Sequence, residues 1–396
     1  MTLKYAVVIV DGAAGLPIAG RGGKTCLELA RTPNLDAIAL ASQLGMVRTV
    51  PLGFEPSSAC ACMSLLGYNP VRYYRGRAAI EAVSMGIPVG EREVVFRCNL
   101  VTVADGIMKD YSAGHITTKE AAELIRALET ALGSERLIFY SGVSYRHILK
   151  IKDGEETLRA SCTPPHDIPG QPVSGYLPKG TGSRRLRDLM RHSEAVLREH
   201  PVNQARISRG QEPATTIWLF WGSGKIPQVP PFREVYGLKA AMTSGVDLLR
   251  GLAKMMAMSI LEIPGVTDGL DNDYRAQAEG AILALEDHDL VVIHVEAPDE
   301  AGHSGSAEEK ITAIERVDTE IIGRLRKYSG ELRLLVMPDH PTPVVVRTHI
   351  GAPVPYLLWG SGFKANGARR FTETEAQKAG IFVDEGYKIM GKLVSD

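Results

Sequence analysis

The sequence carries no surplus of charge: 45 Lys and Arg stand against 46 Asp and Glu, a formal net charge of −1. That argues against a whole-surface field for nucleic acid or anionic lipid, so neither is expected as a partner. No apolar run reaches the roughly 18 residues of a membrane-spanning helix. Met1-Thr2-Leu3-Lys4 leads straight into Tyr5 to Val10, without the basic start, apolar stretch and cleavage site of a signal peptide. Cysteine is scarce and odd in number, at 5, and Cys60-Ala61-Cys62 is too closely spaced for an unstrained bridge. Reduced thiols in a cytoplasm are the expectation. A Walker-type phosphate loop is missing, which disfavours an ordinary ATP enzyme. Internal repeats and low-complexity tracts are missing too. What remains, 396 residues with 44% hydrophobic and 23% charged, is the make-up of a globular protein of two or three domains.

Tyr5 to Val10 is a buried-strand pattern closed by Asp11-Gly12. Thr32-Pro33-Asn34 opens a helix to about Ala41, with Thr32 as its cap. Met46 to Val50 reads as a strand, and Ser57-Ser58 opens a short helix ending near Gly67. Val94 to Val103 and Leu137 to Ser141 read as strands, and Lys119 to Leu132 as an amphipathic helix. Thr163 to Ser183 is a long Pro- and Gly-rich loop, and Arg184 to His200 a basic helix with a solvated face. From Ser259 onward strands and helices alternate, ending with a long helix from Ala307 to Lys327 and a strand from Leu332 to Met337. Such alternation predicts an α/β protein with a doubly wound, mostly parallel sheet. The expected domains are 1–97 joined to 217–396, with a smaller α/β or α+β domain, 98–216, inserted.

Three predicted strands end in metal-type ligands. They are Asp11; Asp299 and His303 within Glu296 to His303; and Asp339-His340, followed nine residues later by His349. Parallel sheets gather ligands at the carboxyl ends of their strands, so these groups converge although distant in sequence. Carboxylate with imidazole suits Zn²⁺ or Mn²⁺, with Co²⁺ and Mg²⁺ as further candidates. Two ions about 4 Å apart would suit phosphoryl chemistry. Ser58 sits where a helix begins, a place that favours phosphate. A metal beside it would make its hydroxyl a nucleophile. Plain capping is its bland alternative, and His294 reads as packing or as a neighbour of a ligand.

The sequence resembles the archaeal-type 2,3-bisphosphoglycerate-independent phosphoglycerate mutases of the alkaline phosphatase superfamily over nearly its whole length. The likeness rests on Val10-Asp11-Gly12, Ser64 to Pro70, Tyr73-Tyr74-Arg75-Gly76-Arg77, Phe96 to Leu100, Ala113 to Ile116, Tyr236 to Ala241, Asp299 to His303 and Asp339-His340. It implies an alkaline-phosphatase-like fold with two divalent metals and no bisphosphoglycerate. One metal would take Asp299, His303 and His349; the other Asp11, Asp339, His340 and Ser58. It implies a glycolytic isomerase that interconverts 3-phosphoglycerate and 2-phosphoglycerate through a phosphoserine at Ser58. Lys239 matches a lysine expected beside the phosphoryl group. Arg77, Arg97, His115, Arg146, His147 and His166 become candidate contacts for this small phosphorylated substrate, and Asp167 a proton shuttle. Ser57 and Ala59, and Trp218 to Gly222, depart from the archaeal pattern. Asp339 to Pro343 and Arg347 to His349 resemble a sister branch proposed to contain homoserine kinases. A phosphotransferase such as a homoserine kinase is therefore the alternative, and a metal-stabilised scaffold ranks behind it.

Overall fold

The structure is a computed structural model that describes residues 2–395. The chain forms two compact units, Met1–Tyr74 with Gln228–Asp396, and Arg75–Pro227. Its strands are β1 (Lys4–Val10), β2 (Ser42–Val47), β3 (Glu93–Ala104), β4 (Ile107–Asp110), β5 (Leu137–Tyr140), β6 (Arg146–Lys152), β7 (Thr216–Ser223), β8 (Ala240–Thr243), β9 (Ser259–Ile260), β10 (Leu290–Val295), β11 (Leu332–Met337), β12 (Val354–Trp359) and β13 (Phe382–Val383).

The first unit holds a mostly parallel sheet in the order β13-β2-β12-β11-β1-β10-β8-β9. At its centre β1 pairs in parallel with both β10 and β11. Every residue from Tyr5 to Val10 is buried, as a continuous apolar run requires when helices cover both faces of a parallel sheet. Strand order matters for function. The three strands that end in Asp11, Glu296 and Asp339 are immediate neighbours, about 5 Å from one to the next.

Two local differences from the sequence reading concern helices. Thr32 stands at the head of helix Pro33–Ala39, but its side chain makes no cap bond. The head of that helix is satisfied by Asp318, which accepts from the backbone of Asn34 at 3.2 Å and of Leu35 at 2.7 Å. Asp318 lies where the expected long helix is interrupted: a π-helical stretch, Val317–Ile322, follows helix Ala307–Arg316. Earlier in the same helix Lys310 is wholly buried. Its ammonium donates to the carbonyls of Gly12 at 2.6 Å, Ala14 at 3.2 Å and Thr342 at 2.6 Å. One side chain thus ties the loop after β1 to the loop after β11.

The second unit is an antiparallel sheet in the order β4-β3-β6-β5, with β7 paired to β3. Helices Thr118–Leu132 and Ser183–Arg198 contribute apolar residues to its main core. The expected domain limits need correction here. A boundary at 97/98 would cut through β3, and one at 216/217 would remove β7 from its own sheet; the units divide at 74/75 and 227/228. A continuous apolar run is the same signal in a parallel centre and in an antiparallel sheet covered on both faces, so pattern alone divided β3 and gave β7 to the larger unit.

Candidate metal centre

The carboxyl edge of the central strands collects the acidic and imidazole side chains. Asp11 follows β1 and is fully buried. Gly12 follows with φ +61°, and a Cβ there would lie 2.5 Å from Asp299 Oδ1, so only glycine lets the two loops meet. Asp299 and His303 lie one turn apart on helix Ala297–Ser304, which starts directly after β10 and Glu296. Asp339 and His340 follow β11, and His349 lies in the loop before β12.

These groups form two adjoining clusters. In one, His303 Nε2 lies 3.2 Å from Asp299 Oδ2, His349 Nε2 lies 3.5 Å from Asp299 Oδ1, and the two Nε2 atoms are 2.9 Å apart. In the other, His340 Nε2 lies 3.2 Å from Asp339 Oδ2 and 3.8 Å from Asp11 Oδ1. The His340 ring stacks on His349 with centroids 3.9 Å apart, which joins the clusters. Asp11, Asp339 and His340 bring ligand atoms within 4.8 Å of one another, and so do Asp299, His340 and His349.

The outer hydrogen bonds orient the rings. His303 Nδ1 meets the Arg347 carbonyl at 3.1 Å, and His349 Nδ1 meets the Pro56 carbonyl at 3.2 Å. A carbonyl only accepts, so each Nδ1 carries a proton and each ring turns its Nε2 toward its cluster. His340 Nδ1 meets Thr342 Oγ1 at 3.2 Å, and that hydroxyl donates to Asp299 Oδ1. Three imidazoles are therefore turned the same way by three different loops.

Ser58 is the first residue of helix Ser58–Leu65, and Ser57, not Ser58, is its cap, accepting from Cys60 N at 3.4 Å. Ser58 Oγ lies 3.2 Å from His340 Nε2 and is 5% exposed. The bland alternative of capping is thereby taken up by the neighbouring serine.

Electrostatically the edge is crowded with like charge. Burial lifts the Asp11 carboxyl well above its usual range, and Asp339, Glu296 and Asp299 lift it further. Burial and then Asp299 push Glu296 up to about 8. Burial holds the His340 and His294 imidazoles down to about 4, so both are neutral. For His303, burial is outweighed by the bond and charge of Asp299, which push it up to about 9. Burial would raise Asp299, but hydrogen bonds from His303 and His349 hold it well below the usual range. Asp11 Oδ1 and Glu296 Oε2 are buried without a hydrogen-bond partner. Orphaned buried carboxylate oxygens beside converging imidazole lone pairs are what a divalent cation satisfies, so the donor set fits divalent metal ions.

Not every expected residue arrives. Lys239 immediately precedes β8, is exposed, and its backbone N–H bonds Asp289 at 2.9 Å. β8 runs parallel to β10, so Lys239 is at the amino edge, the wrong end of the sheet for the clusters, and it is removed from the site. Arg77, Arg97, His115, Arg146, His147, His166 and Asp167 all lie in the second unit. His147 is 1% exposed, and burial pushes it down to about 3. Its Nδ1 accepts from Gly142 N at 3.0 Å, so it braces a loop and is no substrate contact. Arg97 is buried too and committed to Glu81 and to Asn99 Oδ1 at 2.9 Å. Among the groups that the sequence reading missed are Glu296, Thr342 and Lys310. Glu296 had a signal, as the first residue after a predicted strand; the other two act through loop packing and had none.

A family model for 2,3-bisphosphoglycerate-independent phosphoglycerate mutase matches residues 39–203. Proteins of that name from Methanothrix thermoacetophila and Methanosarcina barkeri are 46% and 45% identical to this chain. Each alignment covers 99% of this chain, and 100% and 99% of those relatives. The chain belongs to the 2,3-bisphosphoglycerate-independent phosphoglycerate mutase family. Membership makes it an isomerase of the intramolecular phosphotransferase kind, and the relatives lend no support to the homoserine kinase alternative. The mutase fold is shared with a solved Pyrococcus horikoshii protein, with a TM-score of 0.82 and 26% identity over 98% of this chain and 96% of that one. It is shared also with the cofactor-independent phosphoglycerate mutase of Thermoplasma acidophilum, with a TM-score of 0.63 and 24% identity over 98% of both chains. No helix among the described residues is long and apolar enough to cross a membrane.

Proposed function

We propose that this chain interconverts 3-phosphoglycerate and 2-phosphoglycerate through a phosphoserine at Ser58, with two divalent ions and without bisphosphoglycerate. Asp299, His303 and His349 would hold one ion, and Asp11, Asp339 and His340 the other, beside Ser58. Bound there, such ions polarise the phosphoryl oxygens and lower the pKa of the Ser58 hydroxyl. The donor set of carboxylate and imidazole favours Mn²⁺ or Zn²⁺ over the harder Mg²⁺. The observation that carries the reading is Ser58 Oγ set 3.2 Å from His340 Nε2, against a cluster whose buried Asp11 oxygen has no partner.

In this reading Ser58 takes the phosphoryl group, releasing a glycerate hydroxyl, and returns it to the other hydroxyl. Arg77, Arg146, His115 and His166 are the candidate groups for the carboxylate, phosphate and hydroxyls of the substrate. Arg is suited to oxyanions by its two parallel donors. Asp167 would exchange protons with water, a reading supported by its exposure and by its lying 3.8 Å from His166. Arg97 serves as the buried partner of Glu81 rather than as a contact. Five free cysteines agree with residence in a reducing cytoplasm.

The experiment is phosphorus NMR on 3-phosphoglycerate with Mn²⁺, Zn²⁺ and Co²⁺ in turn, together with mass spectrometry of the quenched enzyme. Appearance of 2-phosphoglycerate and a phosphorylated Ser58 is expected. Turnover only with homoserine and ATP would reject the reading.

A further inference from the structure

The second unit contains a strand irregularity that the proposed chemistry leaves unused. Along β3 and β7 the register passes from Val95↔Ser223 to Arg97↔Phe220. Two steps on β3 face three on β7, so β7 carries one extra residue, a β-bulge. Trp221 sits in this bulge with φ +49°. That is the left-handed region, where glycine is the usual occupant and a bulky side chain is an outlier. The adjacent Gly222 cannot exchange places with it, because a Cβ on Gly222 would lie 2.5 Å from the Phe96 ring. The chain therefore keeps a tryptophan at a strained position, and bulges of this kind re-aim side chains.

Here the side chain is aimed at an arginine. The Arg77 guanidinium carbon lies 4.3 Å from the Trp221 ring centroid, a stacking distance. Arg77 opens helix Arg77–Ser84, and its Nε bonds Glu81 Oε1, one turn on, at 2.9 Å. Glu81 is itself fixed by the buried Arg97. The flexible Arg77 side chain is thus restrained on one face by the indole and on its Nε edge by a carboxylate that cannot move. The indole in turn packs against Phe220 and His166, with centroids 4.6 and 5.4 Å away.

We propose that Trp221 is a positioning residue: the bulge holds its indole against Arg77 and so fixes the guanidinium that receives the carboxylate of phosphoglycerate. This rests on the reading of Arg77 as a substrate contact. Its signature is an effect on KM at constant kcat, since Arg77 is distant in role from the phosphoryl-transfer step. Backbone strain adds a second signature. Trp221→Gly relieves the left-handed φ, so its loss of thermal stability should be smaller than that of Trp221→Ala, which removes the indole but keeps the strain.

The test compares Trp221→Gly, Trp221→Phe, Arg77→Met and the double variant Trp221→Gly/Arg77→Met, using the full chain loaded with Mn²⁺. For Trp221→Gly, KM for 3-phosphoglycerate should rise about tenfold, the size of a partly desolvated stacking contact, with kcat maintained. Trp221→Phe should restore most of the KM. The double variant should be no worse than Arg77→Met alone. An unchanged KM in Trp221→Gly while Arg77→Met raises it would overturn the role of Trp221 and leave Arg77 standing. An additive double variant would do the same. An unchanged KM in Arg77→Met would overturn the assignment of Arg77, and the inference with it.

Discussion

Two buried clusters of charge make opposite arrangements in this molecule. In the second unit Glu81 is flanked by Arg77 and Arg97, and the carboxylate is matched by guanidinium groups. At the sheet edge of the first unit Asp11, Glu296, Asp299 and Asp339 are assembled around imidazoles of which His340 and His294 are neutral, and two of the carboxylate oxygens have no hydrogen-bond partner. Both clusters are expensive to bury. The first is balanced by the chain itself and has a structural task. The second is left acid-rich, and only a ligand of positive charge completes it. Unequal satisfaction of two similar inventories separates scaffold from site more clearly than burial does.

The comparison breaks most visibly at Ser58. Ser58→Ala should abolish the phosphoenzyme and reduce turnover by roughly a thousandfold or more, with the fold intact by circular dichroism. A phosphorylated protein in that variant would take the nucleophile role from Ser58. Chelation by EDTA should come next. Activity should vanish reversibly, and the melting temperature of the first unit should fall, because bound ions at about 100 times Kd add about 2.7 kcal/mol. The second unit, balanced without ions, should keep its transition. His303→Ala should lose one metal equivalent by elemental analysis; unchanged content would break the ligand set.

A pH series sharpens the contrast. In the first unit Glu296 near 8 and His303 near 9 hold protons at neutral pH that a cation must displace. Metal binding should therefore release protons and tighten from about pH 6 to about pH 9, measurable by titration calorimetry in buffers of different ionisation heat. In the second unit a buried carboxyl is shifted the other way. Burial would raise the Glu81 carboxyl, but Arg97 and then Arg77 hold it below its ordinary range. Burial lowers Arg97 without discharging it. A depressed folded value gives stability that is present above the unfolded pKa of about 4.3 and is lost as pH falls through the folded value. Glu81→Gln, which strands a buried guanidinium, should cost the second unit about 3 to 5 kcal/mol at neutral pH.

The ligand-bearing strand ends were legible because a parallel sheet imposes one rule: acidic residues after β1, β10 and β11 must share an edge. The same rule read with the strand direction removes Lys239, which comes before β8 and not after it. Motif likeness carried no such direction. The limits of the second unit were not legible, since β3 and β7 have the apolar texture of central strands in either kind of sheet. Thr342 and Lys310 escaped for another reason. Their contacts join loops 43 and 298 positions away in sequence, to Asp299 and Gly12, and no local pattern encodes such a meeting.

Lys310 has a consequence for how the edge behaves when its ions are stripped. Three carbonyls grip its ammonium as they would grip a small monovalent ion, yet this ion is covalently part of the chain. No chelator can extract it and no dilution can release it. The loops bearing Asp11 and His340 thus remain stapled together in the bare protein, which waits for its divalent partners with its jaws already set.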